Sequence, residues 1–536
     1  MERMGWPPWK LDASAAGSSA VFFRLLCGGA SGFFLSLPFT CGHCGIFAWF
    51  APALLLLALI GAGGGVAFAV GFLHEFVFVL AGVPWIATVL SVHGDIPCAG
   101  GIGVLGLIAA YSGCWAGALG WCVARIARGG AWRALLAAPF LWAAMEFAQG
   151  RVPAIGFPWN LLGYAVSPNL ALVQITALTG IYGLSFVVMA LNALVVWAFV
   201  GADWRRRVVF PAAGAAAILL AMIFLPRLVP VAPAGHFARA VQLNFPEAWR
   251  MPPDWYEINA AALAEIKRIS VAPSASAPDL VIWPEAPTPF IFQDAQFAGM
   301  AAELAVRAKS PVLMSGVEWK AGEARTPGGA PRVVPYNSAV LYDARGLRIF
   351  SYDKMHLVPF GEYEPFPLIH RVVRSLTEDV GGFSAGREAR VGTLPGGRKF
   401  GVFICYESIF PGEVRRFAAG GAELLVNISN DGWFGRSAAP EQHLRIARVR
   451  AVENRRWLVR VTNNGYTVSV DPYGRIVKQL PVDARVAGDL PYDFRADETV
   501  YARWGDWFAW LCALVSAILV LQTFWSAAKG ARQGRA

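Results

Sequence analysis

Charge is what this chain has least of. Only 15% of its 536 residues are Asp, Glu, Lys or Arg, whereas 56% are hydrophobic and the mean hydropathy is +0.47. That balance excludes an ordinary soluble protein and points to a membrane protein. Basic patches interleaved with exposed aromatics are also lacking, which argues against nucleic-acid binding. The net charge of +10 is therefore read as cationic loops beside membrane spans. Ligand spacing for a metal is missing too. The seven histidines are scattered, none pairs at helical spacing, and neither a metal nor an organic cofactor is signalled. No repeat of 20–50 residues is evident. Cysteine is all but absent from the polar stretch 236–497, where Cys405 stands alone; Cys27, Cys41, Cys44, Cys98, Cys114, Cys122 and Cys512 lie in apolar flanking regions. A lone thiol has no partner for a disulfide within its own domain.

What charge there is lies unevenly. Residues 1–235 hold 11 Lys/Arg against 6 Asp/Glu, residues 236–497 hold 31 against 28, and the tail from 498 holds 4 against 2. The reading is a nearly neutral globular domain at 236–497 between an N-terminal transmembrane domain (1–235, about seven spans) and a C-terminal transmembrane helix with a short cytoplasmic tail (498–536). A span needs about 20 apolar residues. About eight such helices are expected near 20–39, 46–63, 66–92, 102–124, 133–149, 179–201, 208–226 and 504–526, the fifth interrupted by Pro139 and Glu146. Basic clusters at Arg3/Lys10/Arg24, Arg125/Arg128/Arg133, Arg205–Arg207 and Lys529/Arg532/Arg535 all fall on one side if the N-terminus is inside. Positive-inside orientation then puts residues 236–497 outside, on the periplasmic face of a bacterial inner membrane. The first span is too long, and lacks a small-residue cleavage site, for a cleaved signal peptide. Cys41-Gly-His-Cys44 has the look of a redox or metal motif but is expected to be an incidental turn between two spans. Glu75 and Glu146 lie in or near spans, where an ionisable group either serves a function or sits close to the interface.

The polar stretch alternates strands and helices. Strands are expected at 238–244, 279–283, 311–316, 336–341, 347–353, 399–405, 423–428, 457–462 and 466–470, with helices at 256–270, 295–309 and 440–456. Tyr342-Asp-Ala-Arg-Gly346 and Asp471-Pro-Tyr-Gly474 mark hairpin turns. The continuous apolar runs fit buried strands of an α/β domain.

Three strand exits end in reactive residue types. Trp283-Pro-Glu285 places a carboxylate after one run. Asp353-Lys354 opens a Pro/Gly loop that reaches a second carboxylate, Glu362. Cys405-Tyr406-Glu407 ends a third. Ligands and catalysis in open α/β sheets gather at such exits. Glu285 can take a thiol proton, and Lys354 can favour a thiolate and stabilise an oxyanion, so the set suits acyl transfer through a Cys405 nucleophile. The plainer alternatives are a buried structural cysteine and an ordinary Glu285–Lys354 salt bridge.

Trp-Pro-Glu285, Asp-Lys354-Met-His-Leu-Val-Pro-Phe-Gly-Glu362 and Cys405-Tyr-Glu resemble the Glu-Lys-Cys triad motifs of the nitrilase (carbon-nitrogen hydrolase) superfamily, as do Asn430-Asp-Gly-Trp-Phe-Gly435, Glu441-Gln-His443 and Arg450-Ala-Val-Glu453. The resemblance covers the whole polar domain and implies an α-β-β-α sandwich outside the membrane. The attached spans, with Gly156-Phe-Pro-Trp159 before the sixth, narrow it to the apolipoprotein N-acyltransferase family. What this implies is a ping-pong exchange. Cys405 takes the sn-1 acyl chain of a phospholipid such as phosphatidylethanolamine as a thioester. The chain then passes to the α-amino group of the diacylglyceryl-modified N-terminal cysteine of an apolipoprotein, completing lipoprotein maturation. By the family pattern Glu285 is the base and Lys354 the oxyanion partner, Glu362 and Glu407 support the pocket, and Tyr406 flanks the nucleophile. Trp433 and Trp255 are loop aromatics at the substrate mouth, with Trp249 competing for the latter match. A monomer is expected. Two rivals stay open: a membrane-tethered amidase with water as acceptor, and a transporter or lipid-binding protein with an inert outer domain. The stretch Pro365 to Leu376 mixes apolar and basic residues and is expected to form an interfacial arm that gates the site.

Overall fold

The computed structural model describes residues 18–533 apart from 95, 153–154, 201–208, 248–251, 275–276, 287–289, 326–330 and 364–381. The expected gating arm and Trp249 lie outside the described residues. Strands β1 (His236–Gln242), β2 (Leu280–Ile282), β3 (Val312–Arg325), β4 (Pro331–Tyr342) and β5 (Arg348–Asp353) build most of one sheet. A second sheet consists of β6 (Val391–Thr393), β7 (Lys399–Ile404), β8 (Leu424–Ser429), β9 (Trp457–Thr462), β10 (Val468–Val470) and β11 (Ile476–Gln479). The chain then returns as β12 (Val486–Tyr492) to the edge of the first. The orders are β12-β1-β2-β3-β4-β5 and β11-β10-β9-β8-β7-β6. Each sheet has a parallel centre (β1-β2-β3 and β7-β8-β9) with antiparallel flanks.

The sheets share one core, in which Ala240, Ile282, Leu313 and Leu341 face Val402, Ile404, Val426 and Val459. Helices Ala260–Ser270 and Ala295–Ala308 cover the first sheet through Leu263, Ile266, Phe297 and Leu304. Helices Pro411–Ala419 and Ala439–Asn454 cover the second through Val414, Phe417, Leu444 and Ala447. This is the α-β-β-α sandwich that the sequence resemblance implies. Parallel strands covered on both faces need apolar side chains on both, which is why they read as unbroken apolar runs. Three elements escaped that signal: β6, the Pro411–Ala419 helix and β12. β12 carries Gly488, Asp489 and Pro491, residues that strands disfavour, yet it pairs with β1 in full register from His236↔Tyr492 to Gln242↔Val486.

The rest of the described chain is chiefly helix. Five helices are long and apolar enough to cross a membrane: Ser18–Thr40, Gly64–Gly82, Cys98–Ala127, Ile181–Phe199 and Trp507–Ser526. The other expected spans are helical with interruptions. The 46–63 run is a 3-10 turn, Gly45–Trp49, followed by Ala51–Leu59. The 66–92 run breaks at Val83-Pro84 into Gly64–Gly82 and Trp85–His93, because proline lacks an N–H and disfavours helix in the residue before it. Ala131–Gln149 runs through Pro139 and keeps Glu146 buried, its Oε1 accepting from Trp142 Nε1 (2.9 Å) and the Leu162 N–H (2.7 Å). Glu75 is buried in the bundle as well. Gly32 and Gly71 let neighbouring helices meet backbone to backbone, since a Cβ at either would clash with the carbonyl of His74 or Ala116.

One sequence expectation is corrected. The Cys41–Cys44 turn is not incidental: the two thiols are joined in a disulfide. The Cys44 N–H to Cys41 carbonyl bond (3.1 Å) closes the turn and brings the Cα atoms to 5.4 Å, inside the range a disulfide spans.

Candidate active site

Glu285, Lys354 and Cys405 leave β2, β5 and β7 at the same end of the sandwich, and a buried polar cluster joins them. Lys354 Nζ lies 3.2 Å from Glu285 Oε1 and 2.9 Å from Glu362 Oε1. Asn337, on β4, donates from Nδ2 to the same two oxygens at 2.9 and 2.8 Å. The other carboxylate oxygens are held by main chain: Glu285 Oε2 accepts from the Asn430 N–H (3.0 Å) and Glu362 Oε2 from the Val358 N–H (2.8 Å). Lys354 is 1% exposed and Glu285 7%. Burial works against the Lys354 ammonium, but Glu285 and Glu362 more than offset it and hold its pKa above the usual lysine value. The cation is therefore permanent at any physiological pH.

Cys405 follows β7 with φ +49°, a left-handed conformation that side chains disfavour, at the start of a 3-10 turn (Cys405–Ile409). The thiol is buried. Burial and the nearby Glu285 carboxylate push its pKa well above that of a free thiol, while Lys354 pulls the other way. The resting thiol is thus neutral and needs a base to become a thiolate.

Glu407, buried two residues later, ties two exits together. Its Oε1 accepts from Tyr352 OH (2.6 Å), the Met355 N–H (2.6 Å) and the His356 N–H (3.3 Å), flanking Lys354; its Oε2 accepts from the Ile404 N–H (2.6 Å), beside Cys405. Burial pushes this carboxyl up to about 7, against the pull of the Ile404 N–H and the Tyr352 hydroxyl.

Tyr406 turns the other way, toward the helical bundle. Its ring stacks on Phe157 at 6.4 Å and meets Phe410 at 5.3 Å, and Tyr406, Ile409 and Phe410 belong to the same apolar cluster as the membrane helices. Trp433 also lies at this seam, edge-on to His93 at 4.9 Å. Trp255 is not brought to the cluster by any described contact: it is buried against Phe245 and Phe290 in the helix layer over the first sheet.

Several residues of the site carried no role in the sequence reading. Asn337 sits in the middle of a strand, without a motif. Behind Cys405, His443 Nε2 lies 3.1 Å from the Cys405 carbonyl oxygen, and Nδ1 faces Asp431 Oδ1 at 3.0 Å. Asp431 also accepts from Arg460 Nη2 (2.8 Å) and Ser429 Oγ (2.9 Å). Burial alone would raise the Asp431 carboxyl, but Arg460 and His443 hold it well below the carboxylate range; burial and Arg460 together lower His443. A histidine in Glu441-Gln-His443 and an acid in Asn430-Asp431 were the only hints in sequence. Among the described residues no group of three or more His, Cys, Asp or Glu is arranged to hold a metal ion.

Residues 237–487 match the family model of the carbon-nitrogen hydrolases, and residues 31–194 match that of the apolipoprotein N-acyltransferase N-terminal domain. The chain is 33% identical over 506 residues to an apolipoprotein N-acyltransferase of Geobacter metallireducens, covering 92% of this chain and 94% of that one. It is 34% identical over 433 residues to that of Brucella melitensis, covering 77% of each. Among solved structures, an amidase from Nesterenkonia sp. is similar over 51% of this chain and 95% of its own, at 20% identity and a TM-score of 0.35. With relatives one-third identical along most of both chains, and with bundle and sandwich each matched, this chain belongs to the apolipoprotein N-acyltransferase family.

Proposed function

We propose that the protein transfers an acyl chain from a membrane phospholipid, by way of a thioester on Cys405, to the α-amino group of a diacylated apolipoprotein. The observation that carries this reading is the buried Lys354 amine bridging the Glu285 and Glu362 carboxylates at the strand exits that also bring the buried Cys405 thiol. As the sulfur bonds to the ester carbonyl carbon, the thiol proton passes to Glu285 and Lys354 faces the developing oxyanion. Collapse expels the lysophospholipid oxygen, which takes the proton back from Glu285. In the second half the amine attacks the thioester, its proton goes to Glu285, the amide forms, and the sulfur leaves to be reprotonated. Glu362 and Asn337 hold Lys354 and Glu285 in place, and Glu407 fixes the strand exits.

The membrane link follows from the acyl chains. Drawing one out of a bilayer costs about 0.8 kcal/mol per methylene, a cost avoided by a thiol beside the bundle seam of Tyr406 and Phe157. Helix ends support the orientation inferred from loop charge. Phe39, Gly82, Ile181 and Leu178 bond or pack toward the sandwich and the Trp507 end of the last helix, whereas Arg125 meets Thr523 and Phe524 at the far end of the bundle. With the basic end inside, the sandwich lies on the periplasmic face of the inner membrane.

The test is to incubate the purified protein with acyl-labelled phosphatidylethanolamine, look for a hydroxylamine-sensitive label on Cys405, and then add a diacylated lipopeptide. The label should form and move to the peptide amine, and Cys405→Ser should form none that hydroxylamine removes at neutral pH. Absence of a thioester in the wild type rejects the proposal. A label that water clears as fast as the peptide does identifies a hydrolase instead.

A further inference from the structure

We propose that His443 is a positioning residue for the reaction and that Gln442 seats it, so that the helical bundle itself holds the nucleophile's peptide in its productive conformation. The inference rests on Cys405 being the nucleophile. Cys405 is held at φ +49°, which only surrounding contacts can maintain in a residue with a side chain. The His443 contact is made to the main chain of that residue: Nε2 lies 3.1 Å from the Cys405 carbonyl oxygen. A carbonyl can only accept, so Nε2 carries the hydrogen.

The imidazole is fixed on every other side. Asp431 and Arg460 occupy its Nδ1 edge, at 3.0 and 3.1 Å. Trp159, from the loop between two bundle helices, stacks on one face with centroids 5.2 Å apart, and Phe434 meets it edge-on at 5.8 Å. The whole ring is buried.

The preceding residue explains how the bundle reaches this ring. Gln442 Oε1 accepts from Trp159 Nε1 (2.7 Å) and Trp85 Nε1 (3.1 Å), while its Nε2 donates to the carbonyls of Phe39 (2.8 Å) and Gly82 (3.0 Å). Every hydrogen-bonding position of one buried amide is thus filled from the bundle, by the ends of two helices, the start of a third and a loop. Trp159 is shared, its N–H on Gln442 and its face on His443. Arg445, one turn on, adds a bond to the Pro38 carbonyl (2.7 Å). A buried amide satisfied by four partners in fixed directions defines the helix position more tightly than apolar packing does.

The experiment separates a donor role from a packing role. In the full-length protein in detergent micelles, single-turnover acylation of Cys405 by labelled phosphatidylethanolamine is measured for His443→Phe, His443→Ala and His443→Gln. His443→Phe keeps a ring between Trp159 and Phe434 but has no donor, whereas His443→Gln keeps a donor without the ring. Positioning predicts that the Phe and Ala variants lose about 100-fold in acylation rate, the effect of roughly 1 Å of misplacement, with the phospholipid KM within about twofold of wild type. His443→Gln should recover at least about tenfold of that loss. A Phe variant as fast as wild type, or a Gln variant no faster than Ala, overturns the proposal. Gln442→Ala keeps a readout if the His443 variants fail to fold. It should slow acylation without a matching rise in KM, and where His443→Ala folds, the double variant should be no slower than His443→Ala alone. Effects that multiply, or a Gln442→Ala variant that acylates at the wild-type rate, overturn the coupling to the bundle. Failure of the wild type to form any thioester falsifies the proposed function instead, so the two failures are told apart.

Discussion

Replacing Lys354 by methionine tests the centre of the site most directly. The side chain is similar in length but carries no charge. What it leaves behind is defined by the structure: Glu285 Oε1 and Glu362 Oε1, both within 3.2 Å of the missing ammonium and both bonded to the single Asn337 amide nitrogen. At an effective dielectric near 20, each contact at about 3 Å is worth roughly 5 kcal/mol of Coulomb attraction before desolvation is subtracted. Removing one partner of a buried pair typically costs about 3–5 kcal/mol net. The Lys354 pKa is raised in the fold, so its contribution is fully present below the ordinary lysine value and is lost only when pH rises through the still higher folded one; between pH 5 and 8 it is constant. In Lys354→Met the two carboxylates face each other without the cation between them, so the variant should be less stable than wild type by about 3–5 kcal/mol. Denaturant unfolding in micelles measures the gap, and the hydroxylamine-sensitive label on Cys405 measures acylation, expected to fall by about 100- to 1,000-fold. A variant that acylates at the wild-type rate, or that unfolds at the same denaturant concentration as wild type, would refute the reasoning.

Glu407→Ala strands four donors that now converge on one carboxylate, so unfolding should show a loss of about 3 kcal/mol or more, with slower acylation because both the Lys354 and Cys405 exits are released. Asp431→Asn should cost about 2–5 kcal/mol, since it leaves Arg460 buried beside a neutral amide. The folded Asp431 pKa is depressed, so its contribution is present above the ordinary carboxylate value and is lost as pH falls through the folded one. Acid titration of wild type against the variant should show the difference closing only well below pH 4. Phe157→Ala removes the ring on which Tyr406 stacks and should raise the KM for micellar phospholipid about tenfold, while acylation by a short water-soluble ester stays within about twofold. An equal loss with both substrates would mean that the ring does not contact the lipid side of the site.

Local signals were enough where one residue type at one kind of position has few physical explanations. Buried parallel strands must be apolar on both faces, so β2, β7, β8 and β9 are visible as runs, and the polar residue that ends a run is visible too. Glu285 and Cys405 were singled out as candidates in this way, and Lys354 and Glu362 by the loop after β5. Asn337 was not, because nothing in Tyr336-Asn-Ser-Ala-Val-Leu341 separates an asparagine that bonds two carboxylates from one that faces solvent. Trp255 shows the converse: a tryptophan in a loop reads as a candidate contact residue, but Phe245 and Phe290 enclose it.

The sequence alone determined that the chain has membrane-spanning and globular parts, that the globular part alternates strands and helices, and that an acid, a lysine and a thiol stand at strand exits. Each of these is a property of composition or of a few adjacent residues. Only the tertiary structure decided that the three exits share one end of the sandwich, that Cys41 and Cys44 pair, and that Glu407 joins two exits. It also decided that Gln442 and His443 bind the bundle to the peptide of Cys405. Apart from the Cys41–Cys44 pair, those relations join residues tens to hundreds of positions apart. Their energies depend on burial and direction, which exist only once the two sheets have stacked and the Ala439–Asn454 helix lies between the second sheet and the membrane helices.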